Sequence, residues 1–306
     1  MITVLLATYN GKKHLGAQLD SLLAQSYKDF KIIIRDDGST DGTTDIINRY
    51  ASENPDKISV ASGTPTGSAC GNFSALFDLA DDDYIMFCDQ DDIWLPEKIE
   101  KTLAAMQKAE QNNPDTPILV HSDLRVVDEN LDTVCESFFD FQQIFQNKVT
   151  LPRLLVQNYV TGCTMMINRK LKTLCGSIPE ECAMHDWWLA LVCSLFGEIV
   201  CIDEPTMLYR QHGGNQVGAK AAKGVGFIKR KLATINRVRE NYNATYTQAR
   251  IMLERYCDTI AEEQLEILEA YCQMARSGKL KKIRLMRKYD FRKCTALRVI
   301  GQYFLM

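Results

Sequence analysis

Apolar and amphipathic segments alternate along the first part of the chain. Four apolar runs rich in β-branched residues have the length of buried strands: Ile2–Thr8, Phe30–Arg35, Ile58–Ala61 and Tyr84–Cys88. Three segments between them carry apolar residues at three- and four-residue steps and are predicted as helices: Lys12–Gln25, Thr43–Ser52 and Asn72–Ala80. Pro96 favours the start of a fourth helix. This βαβα order predicts an α/β fold with a doubly wound, mostly parallel sheet flanked by helices.

The pattern changes in the second half of the chain. Further elements are predicted there, namely strands at Ile118–Ser122, Cys163–Ile167, Ile199–Ile202 and Thr206–Arg210 and helices at Leu151–Gln157 and His185–Phe196. After Gly213–Asn215 the stretch Phe227–Ala275 is nearly free of Gly and Pro, which predicts one or two long amphipathic helices. We therefore predict a first domain over residues 1–217 and a helical C-terminal extension over residues 218–306.

Charge is distributed unevenly along the chain. The net charge is only −3, yet Arg276–Met306 carries ten Lys and Arg residues against one acid, Asp290. The first 275 residues hold 26 Lys and Arg against 38 Asp and Glu, a net charge of −12. A nucleic-acid binder would normally carry its basic surface on the folded domain, so an acidic body with a basic tail argues against one.

Cysteine usage and hydropathy indicate the compartment. Eleven cysteines occur without CxxC pairs, and many stand among apolar residues, which favours free thiols in a reducing compartment over a disulfide framework. No ligand spacing supports a zinc site. The apolar segment at the start of the sequence is too short for a signal peptide. The sequence contains no run of about 18 apolar residues, so no transmembrane helix is predicted. We expect a cytoplasmic protein, or one on the inner face of the cell membrane.

The strongest local motif is acidic. Asp89, Asp91 and Asp92 follow the strand Tyr84–Cys88 and precede the helix near Pro96. Three crowded carboxylates suit Mg²⁺ or Mn²⁺, which then bridges to substrate phosphates. The alternative is a solvated acidic loop that caps the helix. Asp81–Asp83 precedes the strand, at the opposite end of the sheet, and is expected to be a solvated turn.

Two more polar motifs follow strands. In Arg35–Gly42 (RDDGSTDG), Gly38 permits a tight turn, and a carboxylate at the strand end can accept hydrogen bonds from a base or a ribose. In Ala7–Gly11 (ATYNG), Tyr9 can stack on a nucleobase, although Asn10 and Gly11 are also typical of a simple turn. Each motif alone is compatible with turn chemistry.

Together, ATYN, RDDGSTDG and CDQDDIWLPEKI resemble glycosyltransferase family 2, whose members have the glycosyltransferase A fold. The resemblance covers about residues 1–215, and the three motifs agree with the family in order and spacing. It implies a nucleotide-diphosphate sugar donor and a Mn²⁺ or Mg²⁺ cofactor. It also implies that the donor contacts Thr8, Tyr9, Asn10, Asp37 and Asp89, with Asn72 nearby, and that Asp89 and Asp91 hold the metal.

Two later segments extend the resemblance. Asp186, in MHDWW, matches the catalytic base of the family, which commonly appears as Glu-Asp; here His185 stands first. Trp187 and Trp188 can pack on an acceptor sugar, or Asp186 can cap a helix whose Trp residues lie in the core. Arg210 and His212, in YRQHGGN, match a segment that closes over the diphosphate, with His212 on metal or phosphate. The alternative for His212 is a surface or core histidine with no such contact.

These later segments resemble the bacterial rhamnosyltransferase-like branch of the family. That resemblance implies an inverting transfer of L-rhamnose from dTDP-rhamnose, or otherwise of a hexose from a UDP-sugar. The acceptor would be a hydroxyl of a bacterial cell-surface polysaccharide or of a lipid-linked oligosaccharide precursor. The chain lacks the QxxRW element of processive synthases, which favours a single transfer. The alternatives are a nucleotidyltransferase and a non-catalytic sugar-nucleotide-binding module.

The basic tail permits two interpretations. From Leu280 onward, Lys and Arg residues are interleaved with apolar ones, including Leu297, Ile300 and Phe304 at one helical face. The segment is predicted either to pack on the catalytic domain with its charges in water or to lie on an anionic membrane surface. The sequence leaves a homo-oligomer open.

Overall fold

The computed structural model describes residues 1–144, 149–212 and 235–305. Nine strands occur in these residues: β1 (Ile2–Thr8), β2 (Phe30–Asp36), β3 (Ile58–Ala61), β4 (Tyr84–Cys88), β5 (Ile93–Trp94), β6 (Ile118–Val127), β7 (Thr133–Cys135), β8 (Met166–Asn168) and β9 (Glu198–Arg210). The helices of the same residues are α1 (Leu15–Leu23), α2 (Thr43–Glu53), α3 (Ala69–Leu79), α4 (Lys98–Asn112), α5 (Phe138–Gln142), α6 (Leu151–Leu154), α7 (Arg169–Cys175), α8 (His185–Phe196), α9 (Ile235–Tyr256), α10 (Glu262–Ala275), α11 (Lys279–Tyr289) and α12 (Ala296–Leu305).

The strands of the described residues form one sheet in the order β3-β2-β1-β4-β8-β6-β9-β5, with β7 paired to β6. The β1–β2, β1–β4, β2–β3 and β6–β9 pairs are parallel, and β8 joins β4 to β6 through two antiparallel pairs. Six of these strands therefore run in one direction, and β5, β7 and β8 run against them. The predicted α/β fold with a mostly parallel sheet flanked by helices is confirmed.

Apolar cores cover both faces of the sheet. Alternate side chains of a strand point to opposite faces, and on β1 Leu5 joins one core while Val4 and Leu6 join the other. The first core is covered by α3, α8 and the C-terminal helices, and the second by α1, α2 and α4. The polar motifs lie in the loops that follow β1, β2 and β4.

Several predicted elements have different bounds in the structure. The helix after Pro96 begins only at Lys98, after a turn. The predicted strand Cys163–Ile167 is a 3₁₀ turn at Gly162–Thr164 followed by β8, and the helix at Leu151 ends at Leu154. The two strands predicted at Ile199–Arg210 are one strand, β9, because its pairing with β6 continues through a register shift at Pro205.

The C-terminal helices pack against the sheet domain. Tyr242, Met252 and Tyr271 lie in the same hydrophobic core as Leu5 and Trp188. The predicted domain boundary near residue 218 and the segment Gly213–Asn215 lie outside the described residues. None of the helices that the structure describes has both the length and the apolar character needed to cross a bilayer.

Candidate functional site

The polar motifs meet at one edge of the sheet. β1 lies between β2 and β4, and all three strands are parallel, with Thr8 beside Asp36 and Leu6 beside Cys88. The loops that follow these strands therefore come together at their carboxyl ends, where doubly wound sheets bind ligands.

A network of hydrogen bonds holds Asp37 in the loop that follows β2. Its carboxylate accepts hydrogen bonds from the Arg35 guanidinium (2.9 Å) and from the backbone N–H groups of Thr66 (2.7 Å) and Gly67 (2.8 Å). Burial works to raise the pKa of Asp37, but these donors outweigh it and hold the pKa below its ordinary value. Asp37 is therefore an ionised acceptor at the sheet edge.

Asn72 and Thr8 lie behind this network. The Asn72 amide accepts from Arg35 Nη1 (2.8 Å) and donates to the carbonyl oxygens of Thr8 and Arg35, both at 3.2 Å. The buried Thr8 hydroxyl donates to Asp36 (2.9 Å). The structure thus places both residues where they position the carboxylates. Arg35 was missed by sequence reasoning, although an arginine inside an otherwise apolar strand was a signal for it.

Tyr9 presents its ring to solvent. Its side chain is 58% exposed, while its backbone N–H and carbonyl both pair with the Gln90 side chain at 2.9 Å. Asn10 adopts a left-handed conformation (φ 48°), and its side-chain oxygen accepts from Thr40 N–H (2.9 Å). Gln90 therefore ties the β4 loop to the β1 loop and leaves the Tyr9 ring available for stacking.

The acidic motif forms a compact cluster with a thiol. Ligand atoms of Asp89, Asp92 and Cys163 lie within 4.8 Å of one another. Asp92 is fully buried; its Oδ1 accepts from Arg210 N–H (3.1 Å), and its Oδ2 has no hydrogen-bond partner among the described residues. Burial, and then the charge of Asp91, raise the pKa of Asp89 to about 7 and that of Asp92 well above its ordinary range.

A divalent cation fits these donors. It would relieve the repulsion between the carboxylates and would give the unpartnered oxygen of Asp92 a counter-charge. Asp91 and His212, the other predicted ligands, are not among the donors of this cluster. Asp91 Oδ2 lies 2.8 Å from His212 Nε2, so a carboxylate and an imidazole lie side by side next to it. The carboxylate oxygens suit Mn²⁺ or Mg²⁺, whereas the imidazole and the Cys163 thiol are donors that softer metals prefer.

Lys98 lies behind the acidic cluster and was missed by sequence reasoning. Its side chain is fully buried, and its ammonium donates to Thr206 Oγ1 (3.2 Å) and lies 4.7 Å from the centre of the Trp94 ring. Burial lowers the pKa of Lys98 to about 8, while the nearby thiols and Asp92 act to raise it. Lys98 thus offsets part of the negative charge from inside the fold.

Cationic and imidazole groups line the other side of the acidic motif. Arg210 donates from Nε to the Asp91 carbonyl (3.0 Å) and from Nη1 to the Glu129 carbonyl (2.8 Å). His14, directly before α1, has its ring centre 4.9 Å from that of His212. Burial, and then the charge of Arg210, lower the pKa of His14. His14 lies at the positive N-terminal end of α1, where a diphosphate would be favoured.

Asp186 lies at the start of α8, where Gly162 approaches it. Its Oδ2 accepts from Gly162 N–H (3.0 Å) and its Oδ1 from Trp187 N–H (2.6 Å). Burial raises the pKa of Asp186 to about 6, even though these donors act to lower it. The charge of Asp186 also raises the pKa of Asp89, so the two carboxylates are close enough to influence each other. A carboxylate with this pKa suits proton acceptance near neutral pH.

The neighbours of Asp186 belong mainly to the core. Trp188 has no exposed surface and donates to Cys175 Sγ (3.2 Å), so the predicted contact of Trp188 with an acceptor sugar is wrong. Trp187 is partly buried and donates to the Leu154 carbonyl (2.6 Å). The buried His185 ring packs on Phe73, and burial lowers the pKa of His185 to about 3, so His185 is neutral.

Comparison with known proteins gives a consistent result. The family model described as "Glycosyl transferase family 2" matches residues 3–174. The chain is 30% identical to the dTDP-rhamnosyl transferase RfbG of Shigella flexneri over 243 residues, 74% of this chain and 80% of that protein.

Two further matches bear on the donor and the fold. A 107-residue match of 35% identity covers 35% of this chain and 41% of WfaP of Escherichia coli, a UDP-Glc:alpha-D-GlcNAc-diphosphoundecaprenol beta-1,3-glucosyltransferase. In fold the chain is similar to S. aureus TarS 1–349, solved in complex with UDP-GlcNAc, with a TM-score of 0.61 and 19% identity over 89% of this chain and 70% of that one.

Proposed function

The chain belongs to glycosyl transferase family 2, and from that premise we propose that it is an inverting, metal-dependent enzyme with Asp186 as its base. The observation that supports the proposal is that the charge of Asp186, whose pKa burial raises to about 6, acts on Asp89 in an acidic cluster that could hold a metal. The other side of that cluster carries Arg210, His212 and the N-terminus of α1.

In the proposed donor site, Tyr9 stacks on the nucleobase and Asp37 accepts its hydrogen bonds. Asp89 and Asp91, with His212, would hold Mn²⁺ or Mg²⁺ next to the buried Asp92, and Arg210 lies against the same loop. When bound, the metal offsets the charge that develops on the departing nucleoside diphosphate. Support comes from the exposure of the Tyr9 ring and from the 2.8 Å approach of His212 to Asp91.

In the proposed chemical step, Asp186 accepts the proton of an acceptor hydroxyl as that oxygen attacks the anomeric carbon. The diphosphate leaves from the opposite face, so the configuration of the anomeric centre inverts. The Gly162 and Trp187 N–H groups orient the Asp186 carboxylate for this role. Trp187, which is partly exposed, is the remaining candidate for contact with an acceptor sugar.

The proposed donor is dTDP-L-rhamnose, and a UDP-hexose is the second candidate. The similarity to RfbG, named as a dTDP-rhamnosyl transferase, favours the first. The shorter match to WfaP, whose name contains UDP-Glc, supports the second candidate. The name of WfaP also gives a diphosphoundecaprenol-linked acceptor, and we propose a cell-surface polysaccharide or its lipid-linked precursor as the acceptor here.

We propose that catalysis belongs to residues 1–217 and that residues 218–306 form an extension. Since lipid-linked acceptors lie at the membrane, the proposed location is the cytoplasmic side, in contact with the inner face. Oligomerisation is not needed for the proposed step, because the acidic cluster and Asp186 come from one chain.

A donor panel tests the proposal. The full chain is incubated with dTDP-rhamnose, UDP-glucose, UDP-galactose or UDP-GlcNAc, with an acceptor extract, with and without Mn²⁺, and release of the nucleoside diphosphate is measured. We expect release from dTDP-rhamnose that requires both metal and acceptor. Nucleotide binding without release from any donor would instead support a non-catalytic module, and release of pyrophosphate from a nucleoside triphosphate would support a nucleotidyltransferase.

A further inference from the structure

The last two helices leave large apolar side chains in solvent. On α12, Leu297, Ile300 and Phe304 are 36%, 53% and 75% exposed, and on α11 Leu280 is 86% exposed. Leu280 and Phe304 have the highest exposed fractions of the large apolar residues in the described part of the chain. Contiguous exposed apolar side chains mark interaction sites, whereas single ones are common on any surface.

The exposed side chains of α12 lie on one face, and the start of α11 comes close to that face. Leu297, Ile300 and Phe304 follow a three- and four-residue spacing, so they share the outer face of α12. The opposite face carries the buried Gln302, which donates to the Phe291 carbonyl (2.8 Å). Lys279, at the start of α11, places its ammonium 5.6 Å from the centre of the Phe304 ring, so the exposed face of α12 and the start of α11 are neighbours.

Basic side chains border this apolar surface. Arg284 and Arg287 lie one and two turns after Leu280 on α11, at spacings that put all three on one face, and both are exposed. The inner face of α11 carries the buried Met286. We name the outer surface formed by Lys279, Leu280, Arg284, Arg287, Leu297, Ile300 and Phe304 the tail surface.

We propose that the tail surface docks the enzyme on an anionic lipid bilayer, with the apolar side chains in the headgroup region and the basic ones on lipid phosphates. The first 275 residues carry a net charge of −12 and Arg276–Met306 carries ten Lys and Arg against one acid, so anionic lipid attracts the tail and repels the acidic body. The short α12 lies in the interface plane, as amphipathic helices with a basic border do.

The same charges disfavour a second copy of the chain as the occupant. A two-fold interface pairs a surface with itself, so it would bring the Arg284 and Arg287 side chains of both copies, four positive charges, into one interface. Like charges facing each other oppose association, whereas anionic headgroups neutralise them. The inference extends the proposed location at the membrane. It rests on the proposed function only for the lipid-linked acceptor, because the tail surface itself is defined by exposure and charge.

Vesicle co-sedimentation of the full chain tests the proposal. We expect binding to vesicles of phosphatidylcholine with phosphatidylglycerol, little binding to phosphatidylcholine alone, and loss of binding at high salt. Arg284→Glu with Arg287→Glu, and separately Ile300→Ser with Phe304→Ser, should each weaken binding by at least about tenfold.

Matched controls separate these effects from general damage. Arg284→Lys with Arg287→Lys keeps the charge, and Val60→Ser with Val134→Ser removes two exposed apolar side chains elsewhere. Both control variants should bind vesicles like the wild type. Equal vesicle binding by all variants, or no binding of the wild type to anionic vesicles at low salt, would overturn the proposal. A dimer that Ile300→Ser with Phe304→Ser dissociates, without vesicle binding, would assign the surface to a second copy instead.

Transfer to a water-soluble acceptor is measured in parallel. The tail variants should keep this activity, because the tail surface contributes no side chain to the acidic cluster or to Asp186. An inactive wild type that still binds vesicles would reject the proposed function and support the tail surface as a docking site. An active enzyme that does not bind vesicles would support the proposed function and reject the docking site.

Discussion

Asp186 combines burial and hydrogen bonding, which have opposite effects on its pKa. It is nearly buried, which raises its pKa to about 6, yet two backbone N–H groups hold its carboxylate in one orientation and favour the ionised form. A base is useful when its pKa is close to the pH at which it works, and burial supplies that shift here. The donors at Gly162 and Trp187 keep the shift from becoming larger.

Replacing Asp186 with Asn should separate binding from chemistry. The amide has nearly the same shape but cannot accept the proton, so donor affinity should change little while transfer falls by about three orders of magnitude. At saturating Mn²⁺, the wild-type rate should rise with pH through about 6 as Asp186 loses its proton, and that limb should vanish in the variant. Calorimetry and a pH–rate profile measure these effects. Transfer within about tenfold of wild type would require another base.

Asp91 and Asp81 make a matched pair for the metal proposal. Asp91 lies at the mouth of the acidic cluster beside His212, whereas Asp81 is exposed on the turn before β4 and pairs with Arg169 (2.9 Å). Asp91→Ala should abolish metal-dependent nucleotide binding and turnover, and Asp81→Ala should leave both unchanged. Titration calorimetry with and without Mn²⁺ decides between them. Unchanged nucleotide affinity in Asp91→Ala under both conditions would contradict a metal ligand at this position.

At the scale of elements, the site depends on how two loops approach each other. A Cβ at Gly11 would lie 2.2 Å from Gln90 Oε1, so any larger residue there would displace the Gln90 side chain that joins the β1 and β4 loops. Gln90 in turn bonds both backbone groups of Tyr9. The Gln90 amide thus fixes the position of Tyr9, the proposed stacking residue, relative to the acidic motif.

Gly11→Ala should disturb this register. We expect a loss of about 1–3 kcal/mol in stability from the overlap, together with weaker nucleotide binding. Adding Gln90→Ala should restore only part of the stability, because it removes the overlapping atoms but also the two hydrogen bonds to Tyr9. It should not restore the nucleotide affinity, because Tyr9 is then no longer held. Thermal unfolding and nucleotide titration of both variants test this. Equal destabilisation of the single and double variants would show that Gln90 is not the source of the overlap.

The bounds of the elements show which features could be predicted from the sequence. Apolar runs such as Ile2–Thr8 and Tyr84–Cys88 have the structural bounds that their pattern predicted, since buried parallel strands are continuously apolar. The acidic motif at their ends was found for the same reason. Lys98, Cys163 and His14 were missed, because each gains its role from a partner distant in the chain. The Trp187–Trp188 pair is ambiguous in sequence, and only packing shows that Trp188 is core.

For the whole molecule, the question is whether residues 218–306 form a separate unit. Tyr271 of α10 is fully buried in the core that contains Leu5 of β1, and its hydroxyl lies 2.8 Å from Thr245 Oγ1. Gln264 donates to the Leu195 carbonyl (2.8 Å), and Arg153 pairs with Asp290 (2.7 Å). The described helices of the extension therefore share apolar and polar contacts with the catalytic part, although the boundary itself stays a prediction.

This sharing predicts one cooperative unfolding transition. The three tryptophans, Trp94, Trp187 and Trp188, all precede residue 218, so their fluorescence reports on the catalytic part, while far-ultraviolet circular dichroism includes the C-terminal helices. We expect both signals to share one midpoint. Tyr271→Ala should lower the free energy of unfolding by about 3–5 kcal/mol and move both midpoints together, whereas Val60→Ala, at an exposed position, should move neither. If Tyr271→Ala shifted the dichroism midpoint while tryptophan fluorescence kept its wild-type midpoint, the extension would fold as a unit of its own.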